Sequence, residues 1–195
     1  MLLQRTLSLT LLTSLAAIGA LQMGAAAHQD DPELTAKIES AMTAAPPAIS
    51  AEAEILDNAV DDAGKYIVLR EGSNGWSCFP DIPASPGNDP ACYDATWMAW
   101  NYAFLAGEDP DPAIPGLAYM LQGGSDPSNT DPMATEPAPG EDWVASPPHV
   151  MLLMPDALDT QAFSTDHDSG QPYVMWAGTP YEHIMMPTAA GDHMD

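Results

Sequence analysis

The chain has 195 residues and a formal net charge of −24, with 4 Lys and Arg against 28 Asp and Glu. A field of that sign repels phosphate backbones and anionic lipid surfaces, which excludes nucleic acid as a partner. The acids are spread along the chain rather than clustered, as on a solubilised surface, and they also hold carboxylates in reserve for cations.

Residues 1–27 read as an export signal. Arg5 lies in a short n-region, residues 6–21 form an apolar run, and Gly24-Ala25-Ala26-Ala27 supplies the small-residue cleavage stretch. Ser and Thr dilute the run, which favours cleavage over a retained anchor, and no cysteine follows to carry a lipid. The mature chain then starts at His28 as one exported domain over 28–195, periplasmic or secreted, with no membrane contact after cleavage. In that oxidising compartment Cys78 and Cys92, the only cysteines, read as one disulfide, since a C-x-x-C redox spacing is absent. The Pro-rich segment between them predicts no helix or sheet, so the bridge is expected to staple a loop without a ladder, worth about 3 kcal/mol in the chain-entropy model.

Taken in chain order, 33–44 places Leu34, Ile38, Ala41 and Met42 on one helical face, and Pro46-Pro47 ends the pattern. Segments 53–56 and 65–70 predict strands around a turn at 61–64. Asn74-Gly75 predicts a type I′ turn that returns 76–79 as a third strand. Asp94 is an N-cap for a helix over 95–106 with Gly107 as its stop, and Trp97, Trp100, Phe104 and Leu105 form the face that packs on the sheet. Four short apolar runs, 117–121, 150–154, 173–177 and 183–186, predict strands buried on both faces. A Pro/Asp-rich loop near 122–148 separates them. The fold class is α+β: a mainly antiparallel sheet of about six or seven short strands, open to a barrel-like closure, with two short helices and long loops.

Three segments, Gly72-Ser73-Asn74-Gly75-Trp76-Ser77-Cys78, Ser128-Asn129-Thr130-Asp131-Pro132 and Gly178-Thr179-Pro180-Tyr181-Glu182-His183, together resemble a family of exported bacterial proteins of unknown function. The resemblance covers most of the mature chain and implies one domain; it implies no reaction, ligand or catalytic residue.

The candidate sites follow from residue chemistry. His149-Val150-Met151 and His183-Ile184-Met185 each set His and Met two apart, on one face of a strand. Thioether sulfur with imidazole nitrogen selects Cu(I), so His149, Met151, His183 and Met185 are soft-metal candidates if their strands pair. Met154 and Met175 lie on neighbouring predicted strands. The competing reading is that methionine fills core gaps and each histidine bonds to backbone. A processed N-terminal His28 is a further copper chelator. Asp126, Asn129 and Asp131 gather oxygen ligands suited to calcium, without the order of an EF-hand loop, and the same residues make ordinary Asx turns. Trp143, in the polar loop, is the best exposed ring for a small ligand or a protein partner. Hydrolase motifs are absent. Asp166-His167-Asp168-Ser169 and Tyr181-Glu182-His183 set acids beside histidines, but neighbours on an extended chain point opposite ways. The sequence therefore favours an acidic exported protein that binds a ligand or metal, copper first and calcium second. The alternatives are a small extracytoplasmic hydrolase with His149 or His183 as general base, and a scaffold without a small-molecule site.

Overall fold

The computed structural model describes residues 31–156, 158 and 162–188. Residues 1–27, read above as an export signal, and His28 lie outside the described residues. Among those described, no helix is long and apolar enough to cross a membrane.

Eight strands form one open, mixed sheet, with a two-stranded ribbon beside it. Helix α1 (Pro32–Met42) begins where the Asp31 carboxylate accepts from Glu33 N–H and Leu34 N–H, and Pro47, rather than only ending it, opens a second short helix, α2 (Pro47–Ser50). β1 (Glu54–Val60) and β2 (Tyr66–Arg70) form the expected hairpin around Asp61–Gly64. β3 (Ser77–Phe79) departs from expectation: it pairs with β1 in parallel, not with β2. Asn74 is not in the left-handed region that a type I′ turn needs at both central positions; only Gly75 is, at φ +77°. The Asn74 side chain instead accepts from Trp76 N–H and donates to the Ile49 carbonyl, so the segment crosses β1. Gly72 permits that crossing, because a Cβ there would run into Glu54 N.

Cys78 and Cys92 are bridged, directly opposite each other on β3 and β4 (Ala91–Tyr93). The loop they close is therefore not without a ladder, since Phe79 pairs with Ala91 inside it. α3 (Ala95–Ala106) follows as predicted, with the Asp94 carboxylate accepting from Trp97 N–H and Gly107 left-handed at φ +67°. Trp97 and Trp100 are buried and Phe104 half-buried, whereas Leu105 is 50% exposed and lies off the packed face.

The rest of the sheet is β5 (Gly116–Met120), β8 (His149–Leu153), β9 (Tyr173–Met175) and β10 (His183–Pro187), giving the order β2-β1-β3-β4-β5-β8-β10-β9. β8 alternates between buried and half-buried residues and Met154 just beyond it is exposed, so it is not enclosed on both faces. The polar loop is not structureless: β6 (Gly124–Asp126) and β7 (Val144–Ser146) pair within it as the ribbon. Two cores result, in keeping with two-faced layering. The disulfide, Ile55, Ala53, Ala41 at the end of α1 and Ala44 and Ala45 just beyond it make one; the indoles of α3 with Ala118, Met151, Leu153, Met175 and Met185 make the other.

Candidate functional site

The register of the last four strands in the sheet order, β5, β8, β10 and the edge strand β9, places alternate residues in three rows on one face. Directly opposite residues share a face, with Cβ atoms about 5 Å apart. The first row is Met120, His149 and Pro187; the second is Ala118, Met151, Met185 and Tyr173. The third, continuing the same register, is Gly116, Leu153, His183 and Met175. The strands carrying the two His-x-Met pairs are thus neighbours, and His149, Met151, His183 and Met185 lie on one face, all buried.

The register also keeps the two histidines apart along the strands. The Cα positions of His149 and His183 stand at opposite ends of the pairing, four residues along the strands, about 14 Å at the usual rise. Each histidine instead has a methionine directly opposite it, Met120 for His149 and Met175 for His183, with the Met151–Met185 pair between. Met120 has no histidine near it in sequence and is drawn into the site only by strand order. Met175 sits on a predicted strand but acquires its role only through pairing with β10.

Both imidazoles are oriented alike. His149 Nδ1 lies 2.7 Å from the Pro147 carbonyl and His183 Nδ1 lies 3.0 Å from the Tyr181 carbonyl. A carbonyl only accepts, so Nδ1 carries the proton and Nε2 carries the lone pair, the arrangement of a metal-ligating histidine backed by an outer carbonyl. Burial lowers both rings to about 4, against the backbone bonds, so both are neutral at physiological pH. A charge on His149 lowers His183 further.

Among the described residues His149 Nε2 is buried without a hydrogen-bond partner. Gly124 passes over it. A Cβ built there would lie 2.9 Å from Met120 Cε, 3.7 Å from Asp89 Cβ and 3.8 Å from His149 Cε1, so thioether and imidazole flank one point. Two carboxyls border this region. Asp89 accepts from Ile82 N–H and from the Ser85 hydroxyl at 2.6 Å, while Asp126 is pushed up to about 7 by burial and then by the charge of Asp89.

His183 has a different setting. Its ring centroid lies 5.2 Å from Trp97, 5.2 Å from Trp176 and 6.0 Å from Trp100, near perpendicular to each.

The other predicted residues are used separately. Asp126 faces Asp89, the Asn129 amide donates to the Thr165 carbonyl, and Asp131 caps Met133 N–H. Methionine sulfur apart, no three His, Cys, Asp or Glu among the described residues are placed to hold a metal. Trp143 is half-buried rather than exposed. His167 and Asp168 do meet, because a 3-10 turn (His167–Ser169) replaces extended chain there; Nδ1 and Oδ1 are 3.1 Å apart without hydrogen-bond alignment. Glu182 is taken up by backbone, accepting from Leu158 N–H and Gly178 N–H.

No family model matches the chain, and no curated protein or solved structure is significantly similar to it. The functional reading therefore rests on the geometry of this face.

Proposed function

We propose that the protein is an exported binder of a soft monovalent metal ion, Cu(I), with His149, Met120 and Met151 as donors. The observation that carries this is His149 Nε2: a lone pair held by a fixed tautomer, buried, unpartnered among the described residues, and facing a methionine across the strand. Neutral imidazole with thioether sulfur is a soft donor set that suits Cu(I) over zinc, calcium or magnesium. Because burial has already discharged the imidazole, binding has no proton to displace from it at neutral pH. The net charge of −24 draws cations toward the surface. Hydrolysis fits less well, since a general base that titrates near 4 is poorly matched to neutral pH.

An anaerobic titration with Cu(I) held by a chromogenic chelator tests the reading. The wild-type protein is expected to withdraw copper from the chelator. His149→Ala is expected to abolish binding at this site, and Met120→Leu to weaken it by about tenfold or more while keeping core volume. A wild-type protein that fails to compete would return these residues to core packing.

A further inference from the structure

The costs in this core converge on the second imidazole. Among the described residues, Trp97 Nε1 and Trp100 Nε1 are buried without acceptors. An unpaired buried donor is expensive to leave, and each one calls for an explanation. Trp176 adds a third cost as the single non-glycine residue with positive φ, +54°, among the described residues. A bulky side chain there is strained and persists only where its surroundings over-determine it. Here they do: Trp176 N–H donates to the Asn129 carbonyl at 2.9 Å and its indole N–H to the Ser128 carbonyl at 2.8 Å. The turn at 128–131 thus grips this ring. The three tryptophans that bear these costs are the three that surround His183.

We propose that His183 is the centre of a second soft-ion site, with Met175 and Met185 as sulfur donors and Trp97, Trp100 and Trp176 as its roof, so that the chain takes two ions. The proposal extends the soft-metal reading of this face but does not depend on His149. His183 Nδ1 is committed to the Tyr181 carbonyl, so Nε2 is the ligating atom. Met175 lies directly opposite on β9, and Met185 is two residues along the same strand face. An ion held over an indole face within about 6 Å of its centroid is attracted electrostatically, and the three indole centroids lie 5.2, 5.2 and 6.0 Å from that of His183. The outer side of Trp100 faces the surface. Depressions of about 300 Å³ and 200 Å³ both border Trp100 and share Pro110, Asp111 and Pro112. Asp109, Asp156 and Glu182 add carboxylates to their walls, a local charge of the sign that attracts a cation to this surface.

The test uses the purified protein, His149→Ala, His183→Asn and the volume-conserving Met175→Leu, each checked for fold by circular dichroism. Anaerobic Cu(I) competition gives stoichiometry, and tryptophan fluorescence during titration with Ag(I), a redox-inert surrogate, reports on the roof. Two equivalents are expected for the wild type and one for His149→Ala, which keeps the quench. His183→Asn is expected to hold one equivalent without quenching, and Met175→Leu to weaken the quenching phase about tenfold or more. If His183→Asn does not fold, Met175→Leu decides alone. One wild-type equivalent, lost on replacing His149 and without quenching, would overturn this site and leave the first standing. No binding at all would overturn both.

Discussion

Asp126 illustrates how far a single residue's chemistry departs from its sequence setting. In the chain it belongs to a polar Asp-Pro turn, but β6 carries its carboxyl inward against Asp89, which with burial raises it to about 7. An unfolded Asp loses its proton near 4. Between about pH 4 and 7 the native state therefore holds a proton that the unfolded state has released, and the stability this contributes is lost as pH rises through 7. Asp126→Asn is expected to raise Tm at pH 8, where it removes a buried charge, and to change it little at pH 5; melts at both pH values check this. An equal gain at both would assign the effect to packing. Other residues were legible locally. Asp94 and Gly107 bound α3 as read, because caps depend on neighbours within four residues. The left-handed Trp176 was not, since nothing local asks a tryptophan to adopt that conformation; the grip of 128–131 does.

Among the elements, the Cys78–Cys92 bridge ties β3 to β4 and sits beneath α1, with Ala41, Ala44 and Ile55 in the same core. Its removal is expected to cost about 3 kcal/mol in the chain-entropy model. Urea unfolding of the oxidised protein against Cys78→Ala/Cys92→Ala measures it, and a loss well under 1 kcal/mol would mean that the ladder alone holds the two strands. The elements that sequence reading found are α1, α3, the β1–β2 hairpin, β3 and the four short apolar strands. It missed α2, of four residues, and β4, β6 and β7, of three residues each, all too short to show a period. It also mispaired β3, because the Asn-Gly signal describes a local hairpin whereas the bonds from Asn74 to Ile49 and from Glu54 N–H to the Trp76 carbonyl come from distant backbone.

For the molecule as a whole, the excess of negative charge outweighs any single contact. Among the described residues the fixed cations are Lys37, Lys65 and Arg70. Lys37 meets Asp57 at 2.7 Å, an ion pair that lowers the Asp57 carboxyl against its burial, while Arg70 donates to the Ser50 and Ala53 carbonyls rather than to acids. Self-repulsion among the remaining carboxylates destabilises the compact state and is screened by salt. Tm is expected to rise between low ionic strength and 0.5 M NaCl, the latter a condition with a Debye length of about 4 Å. A fall would show that surface ion pairs, not repulsion, govern stability.

Local chemistry and composition were enough to establish the acidic surface, the disulfide partners, the two principal helices with their caps, the existence of the central strands, and the placing of His and Met two residues apart. The folded chain alone made β8 and β10 neighbours, set the two histidines at opposite ends of one face through their register, and brought Met120 and Met175 in to complete the rows. Strand order and register are long-range choices. They follow from burying whole faces against α1 and α3, a sum over many distant contacts that no short segment of the chain encodes.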